Sequence, residues 1–165
     1  FHDVVSSRRS IRAYKPDPVD GAALQRVLEA GRLAPTAANR QPFVIYVISG
    51  DARERLRSAY GRDWCWEAPV VLLVCARLDR AWTRGDGKCF ADVDAAIVMD
   101  HMILAAAAEG LGTCWIGAFN ADALREGLDL PQELEPICMA PLGHPAESPE
   151  ARDRAPLEEL VRYVG

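Results

Sequence analysis

Residues 91–109, "ADVDAAIVMDHMILAAAAE", constrain this chain more than any other stretch. The run is rich in alanine and nearly all apolar, with apolar residues on every side, and Gly110 follows it as a C′ residue. A helix apolar on every side must be buried. In a chain of 165 residues, covering all its faces is difficult, so a partner subunit is expected to supply one wall. The second constraint is "APVVLLVCA" at residues 68–76, a near-continuous apolar run that reads as a strand buried on both faces.

The other elements fall around these two. Residues 20–33, "DGAALQRVLEAGRL", predict a helix with Asp20 as N-cap, stopped at Ala34-Pro35. "FVIYVIS" at 43–49 predicts a strand, and "DARERLRSAY" after it a short charged helix. Residues 77–88 are polar and contain glycine, predicting a mobile surface loop. "GTCWIGAF" (112–119) is a third strand, "NADALREGL" a helix capped by Asn120, "EPICMAPLGHP" a fourth strand, and "PLEELVRY" a last helix. Strands alternating with helices predict a sheet with helices on both sides, in one domain over residues 1–165.

A length of 165 residues lets a domain bury roughly 70% of the surface its unfolded chain exposes. The formal net charge of −5 argues against general nucleic-acid binding, which needs a broad basic field. The apolar runs are too short to span a membrane. Five cysteines, an odd number without CxxC spacing, read as reduced thiols and a cytoplasmic location. His2, His101 and His144 are scattered without a zinc-site spacing, so no metal is expected. P-loop, GxGxxG and GxSxG elements are missing from the sequence.

Against that acidic background, "SSRRSIRAYKPDPV" (6–19) concentrates Arg8, Arg9 and Arg12 within five residues. On one helical turn Arg8 and Arg12 would share a face, with Arg9 beside them. Such a cluster serves a small anion, for which guanidinium forks and the Ser10 hydroxyl are suited, or is a solvated N-terminal turn. "LAPTAANRQPF" (33–43) offers small side chains that let a flat ring approach the backbone, with amide groups on Asn39 and Gln41. Cys65, in the polar loop "DWCWEAP", is either an exposed thiol or an inert one. His101 reads as a core or interface histidine rather than a ligand.

Taken in order, "RRSIRAY", "LAPTAANRQPF", "EAPVVLLVCA", "AEGLGTCWIGAF" and "PLGHP" make the chain resemble a short member of the FMN-dependent nitroreductase family. The resemblance implies an α+β fold, a three-layer α-β-α sandwich with a mixed central sheet. It further implies a homodimer with two FMN sites across the interface. Arg8, Arg9 and Ser10 match residues at the FMN phosphate and ribityl region, and Arg12 the position near the pyrimidine edge of the ring. Pro35, Thr36, Ala37 and Asn39, with Gln41 in the same motif, match the segment contributed by the partner. Ile116, Gly117 and Ala118 match the strand end whose backbone amide approaches flavin N5, and Arg154 a C-terminal arginine that returns to the phosphate. Thr36 stands where the family has Ser. The loop before "EAP" lacks the usual Gln or Lys, with Arg62 as the candidate replacement.

The activity so implied passes hydride from NADH or NADPH through FMN to nitroaromatics, quinones or similar acceptors, with ping-pong kinetics and no catalytic side chain. The alternatives are a protein that stores or senses FMN without turnover, or a divergent enzyme of the same fold (a reductive dehalogenase or a flavin-fragmenting enzyme).

Overall fold

The computed structural model describes all 165 residues, Phe1–Gly165. The strands are β1 (Phe43–Ser49), β2 (Val70–Arg77), β3 (Gly112–Thr113) and β4 (Leu134–Gly143), in the sheet order β1-β2-β4-β3. Neighbouring strands pair antiparallel throughout. The parallel part of the expected mixed sheet is the single bridge between Ser10 and Thr113.

Every residue of β2 before Arg77 is buried, because successive side chains enter opposite layers. Val70, Leu72 and Val74 pack with Cys138, Ala140 and Leu142 against α2 (Gly21–Arg32) and α5 (Ala91–Ala108). Val71, Leu73 and Cys75 pack on the other side with Leu56, Trp66 and Leu124. That second layer is built from α3 (Asp51–Arg55), α4 (Asp63–Glu67) and α6 (Ala121–Leu128). The result is the three-layer α+β sandwich.

Local signals set the helix ends. Asp20 accepts from the Ala23 N–H at 2.9 Å, Asn120 accepts from the Ala123 N–H at 3.2 Å, and Gly110 takes the left-handed conformation beyond α5 at φ +72. Gly31 lets α2 and α5 close on each other: a Cβ there would lie 2.8 Å from Met102 Cγ.

On its own, the chain covers only part of α5. Ala95, Val98, Met99, Met102 and Ala106 are fully buried, whereas Val93, Ile97, His101 and Leu104 form a strip left partly open. Their spacing of four, four and three puts them on one helical face.

Three elements differ from the sequence-based expectation. The third strand lapses at Cys114 and Trp115, where Trp115 is 41% exposed, and resumes only as the Ile116–Met139 bridge. The helix expected over residues 51–60 ends at Arg55 and tightens into a 3-10 turn at Arg57–Ala59, with Leu56 fully buried between them. The last helix, α7 (Leu157–Leu160), is one turn long, and the chain from residue 151 onward is exposed apart from a partly covered Val161. Two elements were not anticipated: α1 (His2–Ser7) and the five-residue α4. The loop at residues 77–88 closes as a small hairpin through a Thr83–Cys89 bridge, with Trp82 edge-on to Phe90 at 4.9 Å. No helix is long and apolar enough to cross a membrane.

Candidate anion cleft and the left-handed loop

Residues 8–12 are extended rather than helical. Helix α1 stops at Ser7, Ser10 pairs in parallel with Thr113, and the Ile11 N–H donates to the Thr113 carbonyl at 2.9 Å. Ile11 is driven into a buried slot that exists because residue 112 is glycine: a Cβ there would lie 2.8 Å from Ile11 Cγ1. Arg8, Ser10 and Arg12 therefore share a side through the two-residue period of an extended chain, not through a helical turn.

Arg8, Arg9, Ser10 and Arg12 line an open cleft of about 460 Å³. Its other wall is the segment 149–154, which places Arg154 beside the first cluster and adds Arg152, which the sequence did not single out. The signal for Arg152 was its place two residues before Arg154, the same alternation that puts Arg8 and Arg12 on one side.

Five arginines thus line one cleft, and none forms an ion pair, although six ion pairs engage other arginines. Glu150 is the one carboxylate in the lining. Glu147 is nearby, but its carboxylate accepts from the Arg12 backbone N–H. Arg9 spends one nitrogen on the Ser6 and Arg8 carbonyls, at 2.7 and 2.9 Å. Uncompensated like charges held together destabilise a chain unless an anion joins them. The donor set fits a phosphate monoester, whose oxygens accept bidentate guanidinium and hydroxyl hydrogen bonds. The solvated-turn alternative does not account for a second pair of arginines, from near the other end of the chain, facing the first.

The segment holding Pro35, Thr36, Ala37, Asn39 and Gln41 lies elsewhere. The Ala37 N–H donates to Asp94 Oδ1 at 2.8 Å, in the first turn of α5. The cleft region instead adjoins the far end of that helix, with Arg8, Arg9, Ala107 and Gly110 sharing one groove. Eighteen residues of helix separate the ends by about 27 Å.

Within the loop, Ala38, Asn39 and Gln41 all adopt positive φ, at 52, 53 and 49. For non-glycine residues this is sparsely populated backbone, costing on the order of 1 kcal/mol or more each. The loop holds itself there: Gln41 N–H donates to Thr36 Oγ1 at 3.0 Å, and Gln41 Nε2 donates to Asn39 Oδ1 at 3.2 Å. Arg40 ties it to the hairpin through the Ala81 carbonyl at 3.2 Å. Asp94 is buried and its Oδ2 has no hydrogen-bond partner.

The remaining candidates lie outside the cleft. Ile116 is buried, and both its backbone polar groups bond to Met139. Gly117 and Ala118 are exposed, with N–H groups that make no hydrogen bond within the chain. Arg62 precedes α4 and does not reach the cleft lining. Cys65, an exposed thiol on one reading of the sequence, is fully buried, and burial pushes its pKa up to about 12. Its polar neighbours in sequence misled, because the one-turn helix α4 turns Cys65 and Trp66 inward. Burial also raises the Cys114 thiol, against the opposing pull of Arg12, Ser10 and Arg8. His101 Nδ1 lies 3.0 Å from the Ile97 carbonyl on the open strip of α5.

The structure is a three-layer α+β sandwich with an arginine-lined cleft, and similarity to known proteins gives its family. The family model for the nitroreductase family matches residues 5–61 and 57–144. The chain belongs to that family. It is 33% identical to the FMN reductase (NAD(P)H) of Bacillus subtilis strain 168, over 94% of this chain and 70% of that protein. It is 31% identical to the NADH dehydrogenase of Thermus thermophilus, over 94% and 92%. The crystal structure of a nitroreductase family protein from Clostridium difficile 630 superposes with a TM-score of 0.92 at 38% identity, covering 99% of this chain and 97% of that one.

Proposed function

We propose that this chain acts as a homodimeric, FMN-dependent oxidoreductase that takes reducing equivalents from NADH or NADPH and delivers them to nitroaromatics, quinones or similar electron-poor acceptors. When bound, FMN supplies the hydride exchange between the nicotinamide and the acceptor. The protein supplies binding, orientation and electrostatic field.

The observation that carries this reading is the cleft lined by five arginines, none of them in an ion pair. Arg8, Ser10, Arg152 and Arg154 would hold the phosphate, with Arg9 steadying the turn that presents Arg8. Arg12 would hold a positive charge beside the polar edge of the ring. The unbonded N–H groups of Gly117 and Ala118 would be the donors available to the ring's central edge, because the Ile116 amide is already engaged by Met139.

Three observations support a dimer. The cleft and the loop of Pro35, Thr36, Ala37, Asn39 and Gln41 adjoin opposite ends of α5, so the two could meet on one cofactor only if the loop comes from another subunit. The strip Val93, Ile97, His101 and Leu104 is a largely apolar face that the chain covers only in part. Leu157, Leu160 and Tyr163 in the C-terminal segment are likewise exposed.

The test is direct. Purified protein should carry or take up FMN, sediment as a dimer, and oxidise NADH or NADPH in the presence of a quinone with ping-pong kinetics. Bound FMN without turnover would point to storage or sensing instead. Protein that takes up no FMN would refute the reading.

A further inference from the structure

Arg12 differs from the other cleft arginines in what lies behind it. Its guanidinium carbon sits 5.9 Å from the centroid of the Trp64 indole. Trp64 receives Tyr60 edge-on, with centroids 5.8 Å apart and planes at 83°. The same indole packs against Ile11, Tyr14 and Ala68, so it closes the seam between the arginine segment and α4.

Helix α4 is only five residues long, yet it is held firmly from beneath. Arg53 Nη1 donates to the carbonyls of Trp66, at 2.9 Å, and of Ala68. Trp66 is buried and its Nε1 donates to the Tyr60 carbonyl at 2.8 Å. The backbone of Arg12 is fixed separately, through Glu147. Nothing in this arrangement neutralises the Arg12 side chain. An aromatic face attracts a guanidinium through its quadrupole and leaves the unit charge intact. A carboxylate in the same place would hold the side chain equally well and cancel its field.

We infer that Trp64 is a positioning residue, which holds Arg12 as an un-neutralised cation at the cleft edge and thereby favours the reduced, negatively charged form of the bound FMN. The role rests on the proposed function, in which Arg12 faces the polar edge of the ring. It predicts a larger effect on the reduced form than on the oxidised one. A residue that merely supports the fold would weaken both forms alike.

The experiment measures dissociation constants of oxidised and of anaerobically reduced FMN for wild type, Trp64→Leu and Trp64→Phe. Loss of the aromatic face in Trp64→Leu should weaken reduced FMN about fivefold more than oxidised FMN. By linkage the midpoint potential of the bound flavin becomes more negative by the same ratio. Trp64→Phe, which keeps a face, should stay within about twofold of wild type on both measures. Trp64→Met, whose longer and more flexible side chain can fill the irregular gap, gives the same comparison if leucine compromises folding. In an Arg12→Gln background the leucine substitution should add no further difference between the two forms. Equal weakening of both forms, no change in either, or a phenylalanine variant as impaired as leucine overturns the role of Trp64 while FMN binding by wild type stands. A wild type that binds neither form overturns the proposed function, and this role with it.

Discussion

The arginine cleft and the loop at residues 36–41 are both unfinished, in different ways. The cleft holds an electrostatic cost: arginines gathered from two segments, with Glu150 as the one carboxylate in the lining and no ion pair among them. The loop holds a conformational cost: three left-handed non-glycine residues within four positions, pinned by Thr36, Gln41 and the buried Asp94. An anion relieves the first at once. Nothing a ligand does to charge relieves the second, which is already offset by the packing of α5. The comparison teaches that one region is shaped to attract and the other to present a rigid surface, a division that suits a site made from two subunits.

The most severe test of that division is Leu104→Glu, on the open strip of α5. A carboxylate buried in an apolar interface costs several kcal/mol. The expected outcome is a monomer by sedimentation velocity and, with it, FMN affinity weaker by more than about a hundredfold. A monomer that still binds FMN tightly would break the two-subunit comparison. Ala106, by contrast, is fully buried in the chain's own core, so a charge there reports on folding rather than on assembly.

Next in size is Arg8→Ala, which removes a charge-assisted hydrogen bond worth about 1.5–3 kcal/mol, or roughly a ten- to hundredfold loss of FMN affinity. The loss should shrink at high salt, since the cleft acts through charge. Fluorescence titration of FMN at two ionic strengths checks this. A salt-independent loss would mean that Arg8 acts by shape, as the loop does.

Relief of the loop should give a smaller and opposite result. Ala38 is exposed at φ 52, so glycine there removes strain of about 1–2 kcal/mol and adds back about 0.5–1 of unfolded-chain entropy. Ala38→Gly is expected to stabilise the protein by about 0.5 kcal/mol in denaturant unfolding, with no salt dependence. Destabilisation would show that the methyl group, rather than the backbone, matters there.

Cys65→Ser should have the least effect on turnover, under about tenfold, because a thiol pushed up to about 12 stays neutral through the working range. Its stability effect has a defined sign. The unfolded thiol ionises at about pH 8.5, below the folded one, so its contribution is intact below that pH and is lost as pH climbs toward 12. Unfolding midpoints from about pH 7 to 10.5 should therefore decline less steeply for Cys65→Ser than for wild type. An equal or steeper decline would show that Cys65 is not shielded as described.

Much of this was legible in the chain itself, wherever a few adjacent residues decide the outcome. The caps at Asp20 and Asn120, the left-handed Gly110, the doubly buried β2 and the mostly apolar α5 follow from local chemistry and from periodicity. The gathering of Arg8, Arg9, Ser10 and Arg12 was legible as composition, but its geometry was not. Ser10 is extended because it meets Thr113, and Ile11 has a place only because residue 112 has no side chain. Arg152 joined the cleft, and Cys65 left the list of exposed thiols, for the same reason: their surroundings are built by segments distant in sequence. Local preference is written in neighbouring residues. Which distant segments share a cleft, which helix face stays open and which charge lacks a partner are properties of packing, and only the tertiary structure decided them.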